Sequence, residues 1–226
     1  MTQPLVSIIT PTTANELVLE NIASVKAQTY KNIEHLVVYD GVAIPHTHLE
    51  HLTQYIQLPH ATGHSRYNGH RIYGSMIYVV RGSYVLMLDE DDTIERTHIE
   101  DLVSTITTNN VEWAYSYRRI VDRQHNFICN DECESLGEKI NVCGDRLVGV
   151  GSMLLPLKRA IQYSPLMYRK AREQGVEEID RILTRYMLQH THKGTNNYTM
   201  NYRMSSTALS VSADFFIEGN KRYDRR

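Results

Sequence analysis

At 226 residues the chain is long enough to bury a substantial core, and we expect a single α/β domain. Apolar residues make up 42 % of the sequence and charged residues 22 %, and the formal net charge is −2, so no excess of positive charge indicates nucleic acid or an anionic membrane as a partner. No apolar run approaches the roughly 18–20 residues needed to cross a bilayer, and the first residues lack the basic flank and cleavage site of a signal peptide. We therefore expect a soluble, cytoplasmic protein without a transmembrane segment.

The first part of the chain alternates predicted strands with predicted helices. The segments typical of buried strands are 4–10, 33–39, 55–58 and 82–88. Thr13 and Glu16 have the spacing of a capping box in front of the first helix. Strands that alternate with helices form βαβ units, and these predict a parallel sheet covered on both faces.

Three polar residues follow or end the apolar strands of this part. Thr10 ends the first strand, Asp40 follows the second, and Asp89 follows the strand at 82–88. In open α/β sheets ligands bind outside the carboxyl ends of the strands. We therefore expect these three residues to lie on one edge of the sheet, beside a ligand.

The second part of the chain has a less regular pattern. A helix, a strand of a hairpin, an irregular loop, a strand, a helix and a last strand are predicted at 93–106, 111–121, 126–141, 148–157, 176–189 and 197–204. The basic residues 219–226 are expected to be mobile. No repeat or interdomain linker interrupts the sequence, which favours one domain.

Four consecutive acids, Asp89 to Asp92, follow the strand at 82–88. Residues i and i+2 of an extended chain point to the same side, so Asp89 and Asp91 are expected to converge and Glu90 to face away. Two such charges repel by roughly 1–3 kcal/mol near a protein surface, and a bound Mg²⁺ or Mn²⁺ would relieve that repulsion. Asp92 and Glu95 have the spacing of an N-cap pair for the helix predicted to follow.

Three segments in this order, "VSIITPT", "VVYDG" and "RGSYVLMLDEDD", resemble motifs of the family 2 glycosyltransferases, which have the GT-A fold. The resemblance covers roughly 5–203. It implies an α/β fold of the GT-A type, with a Rossmann-like, mostly parallel sheet flanked by helices in a single domain. It further implies a nucleotide-binding half at 1–92, an acceptor-binding half at 93–203 and a C-terminal tail at 204–226.

The resemblance also implies roles for individual residues at the donor site. The residues expected to contact the nucleotide or its sugar are Thr10, Pro11, Thr12, Asp40, Arg71 and Asp89. Asp91 is expected to coordinate the metal directly, with Asp89 touching the ribose or a metal-bound water. Arg203 is a candidate for closing over the diphosphate. Tyr39 stands where the family usually has a first acid, so a uridine donor is favoured by family frequency alone.

An inverting transferase also needs a base for the acceptor hydroxyl. The family places this acid at the start of a late helix, and "VEEIDR" occupies that position. Asp180 is the first choice and Glu178 the second. Acids in a first helical turn are also favoured by the helix dipole, so the position alone does not identify a base. His190 and His192, at the end of this helix, are further candidates for contacting the metal or the phosphates.

The sequence is therefore expected to encode a glycosyltransferase that depends on Mn²⁺ or Mg²⁺. Its partners would be a nucleotide-diphospho-sugar and an acceptor that carries a hydroxyl, such as a glycan. Two alternatives remain open, a non-catalytic relative that binds nucleotide sugars or glycans, and a sugar-phosphate nucleotidyltransferase. The latter is disfavoured because "TPTTANE", after the first strand, has neither Gly nor Lys to hold phosphates.

Overall fold

The computed structural model describes residues 3–64, 67–133, 148–169, 179–204 and 212–223. In these ranges nine strands form one sheet. The strands are β1 Val6–Thr12, β2 Ile33–Tyr39, β3 Gln54–Gln57, β4 Tyr84–Met87, β5 Thr93–Ile94, β6 Trp113–Val121, β7 Phe127–Asn130, β8 Met153–Pro156 and β9 His192–Arg203.

Helices cover both faces of the sheet. They are α1 Leu17–Lys26, α2 His46–Leu49, α3 His70–Met76, α4 His98–Asn109, α5 Leu157–Tyr163, α6 Ile179–Met187 and α7 Ala213–Tyr223. Two 3-10 turns, Val150–Ser152 and Ser164–Tyr168, precede β8 and follow α5. None of the described helices is both long enough and apolar enough to span a lipid bilayer.

The sheet has the order β3-β2-β1-β4-β8-β6-β9-β5, with β7 paired to β6. The four strands from β3 to β4 run parallel to one another. Beyond β4 the sheet is mixed, because β8 runs antiparallel to both β4 and β6 whereas β9 runs parallel to β6. The predicted α/β architecture is confirmed, and its parallel part is the part predicted from the alternating pattern.

The core lies on both faces of the sheet, as the period of two along β1 requires. Ile9 packs in one apolar cluster with Ile72 of α3. Its neighbour Ile8 packs in the opposite cluster with Leu102 and Ile106 of α4. The two helices are thereby fixed on opposite sides of the strand ends, where the polar residues of β1, β2 and β4 lie.

Two local predictions were wrong. The capping box does not form, because Thr13 bonds Glu90 through its backbone N–H and its hydroxyl instead of capping α1. Asp92 does not cap α4, because β5 intervenes and that helix begins at His98 after Thr97. In the segment 219–226, expected to be mobile, α7 continues through Tyr223, and 224–226 lie outside the described residues.

Candidate active site

The four acids that follow β4, Asp89 to Asp92, form a tight turn at the carboxyl edge of the parallel strands, which we call the acid turn. The backbone N–H of Asp92 donates to the carbonyl oxygen of Asp89 at 3.1 Å. The side-chain amide of Asn21, buried on α1, donates to the carbonyl oxygens of Asp89 and Asp92 at 2.9 and 3.0 Å. One amide therefore fixes both ends of the turn to α1.

Asp89 projects from this turn into a crowded but solvent-accessible region. The hydroxyl of Tyr73, on α3, donates to its Oδ1 at 2.7 Å. The surrounding protein desolvates the carboxyl and raises its pKa; the hydrogen bond from Tyr73 opposes this shift, and the charges of Asp180 and Glu90 add to it. Asp180, in the first turn of α6, therefore lies within electrostatic range of this carboxyl.

Asp91 is half-buried on the same turn. Desolvation raises its pKa to about 6, and the repulsion from Asp89 contributes to the rise. Both carboxyls therefore have raised pKa values: that of Asp91 through desolvation and the charge of Asp89, and that of Asp89 through desolvation and the charges of Asp180 and Glu90. Two carboxylates that repel one another are the donor set expected for a hard divalent cation whose remaining ligands are phosphate oxygens and water. The residues thus fit Mg²⁺ or Mn²⁺.

No third protein ligand accompanies the pair within the described ranges. There, no group of three or more histidine, cysteine, aspartate or glutamate side chains is arranged to hold a metal. His190 does not join Asp89 and Asp91, because its Nε2 lies 2.7 Å from the hydroxyl of Tyr163 and its Nδ1 lies 3.8 Å from Glu112.

The register of β6 against β9 explains why His190 is far from Asp89 and Asp91. His192 pairs with Trp113 and Arg203 with Val121, eight residues further along β6. At about 3.3 Å per residue the two pairs are about 26 Å apart. His190 and His192 thus lie at the end of the β6–β9 pair opposite to Arg203 and the acid turn.

Glu90 does not face away from the fold, as the alternation of side chains predicted. Its carboxylate accepts hydrogen bonds from the hydroxyl of Thr12 at 2.5 Å, and from the backbone N–H and the hydroxyl of Thr13 at 3.0 and 2.9 Å. The end of β1 is thereby tied to the turn after β4. The Thr12 hydroxyl, predicted to line a nucleotide pocket, is directed to Glu90 instead.

Arg203 lies beneath the acid turn. Its backbone N–H donates to Oδ1 of Asp92 at 2.9 Å, and its Nε donates to the carbonyl oxygen of Asp91 at 2.8 Å. Its two terminal nitrogens bond the carbonyl oxygen of Arg123 and the carboxylate of Glu20. The guanidinium is therefore engaged by the protein, and its predicted contact with a diphosphate would require some of these bonds to open.

Asp40 and Arg71 meet at the loop that precedes α3. The carboxylate of Asp40 accepts the backbone N–H groups of Thr62 and Gly63 at 2.6 and 2.8 Å. Arg71 donates to the carbonyl oxygen of Thr62 at 3.3 Å, and its guanidinium lies 3.2 Å from the centre of the Tyr67 ring. The two residues predicted to contact a nucleotide base are therefore brought together.

Pro11 belongs to the same region, whereas the side chain of Thr10 does not. A Cβ on Gly69 would come within 2.6 Å of Pro11 Cγ, so this proline packs directly against the start of α3. Thr10 is completely buried, and its hydroxyl lies 2.9 Å from Nε2 of His35 and 3.3 Å from Asn21. The alternation along β1 directs Thr10 into the core, so its predicted side-chain contact with the base is not supported.

Asp180 is the second residue of α6 and is half-buried. Its Oδ1 accepts the backbone N–H of Arg181 at 2.9 Å, and its charge raises the pKa of Asp89. The charge of the predicted base thus acts on Asp89, one of the two predicted cation ligands. Glu178, the alternative base, lies outside the described residues.

Sequence reasoning missed two residues that shape this site, Asn21 and Tyr73. Asn21 interrupts the apolar stripe of α1, and a buried amide inside such a stripe is a recognisable signal. Tyr73 lies between Ile72 and Gly74 on α3, where a tyrosine is equally typical of an ordinary core position. Nothing in the local sequence distinguishes its hydroxyl as a partner of Asp89.

Comparisons with known proteins are consistent with this geometry. Among solved structures, residues 1–349 of TarS from S. aureus are similar, with a TM-score of 0.65 at 14 % identity, over 88 % of this chain and 60 % of that one. The same TarS segment in complex with UDP-GlcNAc gives 0.66 at 15 % identity, over 95 % and 64 % of the two chains. The longer TarS structure gives 0.61 at 15 % identity, over 95 % and 38 %.

At these identities the likeness shows the fold, which is that of a GT-A glycosyltransferase. This chain spans less than two thirds of each of those TarS chains. No curated protein matches it. The model of the family described as glycosyl transferase family 2 matches residues 7–129, more than half of the chain, and the protein therefore belongs to glycosyl transferase family 2.

Proposed function

We propose that this protein is a metal-dependent glycosyltransferase that moves a sugar from a nucleotide-diphospho-sugar to an acceptor hydroxyl with inversion. The observation that carries the proposal is the pair of carboxylates Asp89 and Asp91 on the turn after β4, together with the charge of Asp180, which acts on Asp89. These carboxylates supply the two chemical functions that such a transfer needs, a cation site and a general base.

The donor nucleotide would bind beside the loop before α3. Asp40 and Arg71 converge there on the backbone of Thr62 and Gly63, and Pro11 supports the start of the helix. Because charged side chains hold the backbone of Thr62 and Gly63 in place, this loop offers a rigid surface against which a planar base can pack. UDP is the favoured nucleotide, because structures of the similar protein TarS are described in complex with UDP-GlcNAc and with UDP.

The cation would be held by Asp91 and Asp89, and Mn²⁺ and Mg²⁺ are the candidates. When bound, it supplies a positive charge that stabilises the nucleotide diphosphate as it leaves. Asn21 and Arg203 hold the backbone of the acid turn from two sides. Both carboxylates are therefore prepositioned on a rigid turn.

The acceptor hydroxyl would give its proton to a carboxylate oxygen of Asp180, with Glu178 as the alternative. The acceptor oxygen then forms a bond to the anomeric carbon, and the bond from that carbon to the phosphate oxygen breaks on the opposite face. The electron pair of the broken bond leaves with the nucleotide diphosphate. Deprotonation by a nearby carboxylate makes the acceptor oxygen a better nucleophile.

A nucleotide-release assay against UDP-, GDP- and dTDP-sugars, with and without Mn²⁺, tests the proposal. We expect release from a UDP-sugar that requires Mn²⁺, a loss of at least 100-fold in Asp91→Ala, and a similar loss in Asp180→Asn. Normal turnover by Asp91→Ala with metal present would refute the metal site. Unchanged turnover in Asp180→Asn alone would move the base elsewhere, with Glu178→Gln tested next. Mn²⁺-dependent nucleotide binding without release by the wild type would identify a non-catalytic relative.

A further inference from the structure

The hydroxyl of Tyr73 is the one described side-chain donor to the carboxylate of Asp89. It donates to Oδ1 at 2.7 Å, and the ring of Tyr73 is completely buried. A phenol at neutral pH is a donor and an ionised carboxylate accepts only, so the direction of this bond is fixed. A bond from a neutral donor to a charged acceptor is stronger than a bond between neutral groups.

The ring of Tyr73 is held firmly by its surroundings. It packs in the same apolar cluster as Ile72, Met87 and Met167. The 3-10 turn Ser164–Tyr168 is further tied to this region by two hydroxyl–hydroxyl hydrogen bonds, one between Tyr168 and Ser75 of α3 and one between Ser164 and Tyr78, just after α3. A Cβ on Gly74 would lie 2.8 Å from the Met167 side chain, which shows how closely this helix approaches the turn. The phenol oxygen therefore has little freedom to move.

The backbone and the side chain of Asp89 are consequently fixed by different helices. Asn21 on α1 holds its carbonyl oxygen, and the N–H of Leu88, the preceding residue, donates to Ile9 at 3.0 Å. Tyr73 on α3 holds Oδ1 and so fixes the rotation of the side chain. One carboxylate oxygen is occupied, and the other is left to face a ligand.

We propose that Tyr73 is a positioning residue that orients Asp89 toward a divalent cation bound with a nucleoside diphosphate. This inference rests on the proposed function, because it needs a cation at Asp89 and Asp91. Partners that hydrogen-bond a metal-binding carboxylate fix its orientation, and their loss typically lowers metal affinity by about 10–100-fold. In this role Tyr73 contacts neither the cation nor the substrate and acts only through Asp89.

The test measures Mn²⁺ binding in the presence of saturating UDP, from the electron paramagnetic resonance signal of free Mn²⁺. We expect Tyr73→Phe to weaken Mn²⁺ binding about 10–100-fold, because the ring is kept and only the donor is lost. Tyr30→Phe is the matched control, since it removes another hydroxyl from a buried tyrosine, one that bonds the carbonyl oxygen of Pro4. That control is expected to bind Mn²⁺ as the wild type does.

A double-mutant cycle tests whether Tyr73 acts through Asp89. In an Asp89→Asn background, Tyr73→Phe is expected to change Mn²⁺ affinity by less than about two-fold, because coupled residues are not additive. The same 10-fold loss in both backgrounds would overturn the route through Asp89. If the wild type binds Mn²⁺ and Tyr73→Phe binds it with the same affinity, the positioning role is overturned and the metal site is not. A wild type that binds no Mn²⁺ would overturn both this role and the proposed metal site.

Discussion

At the scale of single residues, the four acids after β4 have the same functional group but different partners and different roles. Asp89 and Asp91 remain available to a ligand, Glu90 receives three hydrogen bonds from Thr12 and Thr13, and Asp92 is buried against the backbone of Arg203. The presence of a carboxylate pair could be predicted from the i, i+2 spacing. The tasks of Glu90 and Asp92 could not, because their partners lie 77 to 111 residues away in the sequence.

The raised pKa of Asp91 predicts how stability depends on pH when no metal is bound. The folded-state pKa of Asp91, about 6, lies above the ordinary aspartate value of about 3.9, so the folded state binds more protons than the unfolded state. The ionised carboxyl therefore lowers the stability of the fold above pH 6. This penalty disappears below about pH 4, where the group is protonated in both states. Asp91→Asn removes this penalty. In EDTA we expect its Tm to exceed that of the wild type by about 2–4 °C at pH 7.5, the shift that about 1 kcal/mol produces in a domain of this size. The difference should vanish at pH 4.

Asp122→Asn provides a control of opposite sign for this experiment. Asp122 is half-buried in the β6–β7 turn, and hydrogen bonds from the side chain and backbone of Asn126 lower its pKa. Its substitution should decrease the Tm at pH 7.5. An equal or lower Tm for Asp91→Asn in EDTA at that pH would contradict the repulsion inferred for the acid turn.

At the scale of elements, α1 contributes to the site although no residue of it was predicted to do so. The apolar residues Val18, Ile22 and Val25 recur with the helical period and form the buried face of this helix. Asn21 lies on that face and bonds the acid turn, and this contact depends on how α1 crosses the ends of β1 and β4. Helical periodicity predicts which face is buried but carries no information about which strand end that face will meet.

Asn21→Ala is expected to destabilise the fold by about 2–3 kcal/mol, because it removes the buried amide donor to the carbonyl oxygen of Asp92 and one of the two donors to the carbonyl oxygen of Asp89. Denaturant unfolding measures the change. Asn109→Ala is the matched control, because the amide of Asn109 also donates to a backbone carbonyl oxygen but on the exposed surface of α4. Its effect should stay within about 0.5 kcal/mol. Equal effects of the two substitutions would show that Asn21 has no special part in holding the turn.

At the scale of the whole molecule, the part of the sheet that alternates regularly with helices was predicted well and the remainder less well. β1, β2 and β4 carry continuous apolar runs, and their parallel order follows from the βαβ connections. Beyond β4, apart from the β6–β7 hairpin, the strand pairs link segments far apart in sequence, such as Thr93 with Asn201. Local propensity does not determine pairs of this kind. The C-terminal helix α7 escaped prediction for the same reason, since its sequence gave no sign of the surface that it covers.

The contacts of α7 predict that it belongs to the folded unit and is not a mobile tail. Phe216 is buried against the ring of Tyr202 and near the guanidinium of Arg118. The side-chain amide of Asn220 donates to the carbonyl oxygen of Asn130 and accepts the backbone N–H of Glu132. Two hydrogen bonds to the backbone therefore also hold the helix. We expect Phe216→Ala to lower the free energy of unfolding by about 3–5 kcal/mol, as the loss of a buried phenylalanine does in other cores.

Phe127→Ala is the natural comparison, because Phe127 has the same side chain at 54 % exposure on β7. Its loss should change the free energy of unfolding by less than about 1 kcal/mol, since its ring only borders the guanidinium of Arg119. Both variants should be followed by far-UV circular dichroism and tryptophan fluorescence. Because Trp113 is buried in the core beside β8, a coincident shift of both signals in Phe216→Ala would show that α7 unfolds together with the sheet. A loss below about 1 kcal/mol, or an early transition seen by dichroism alone, would mean that α7 unfolds independently and that the rest of the fold does not depend on it.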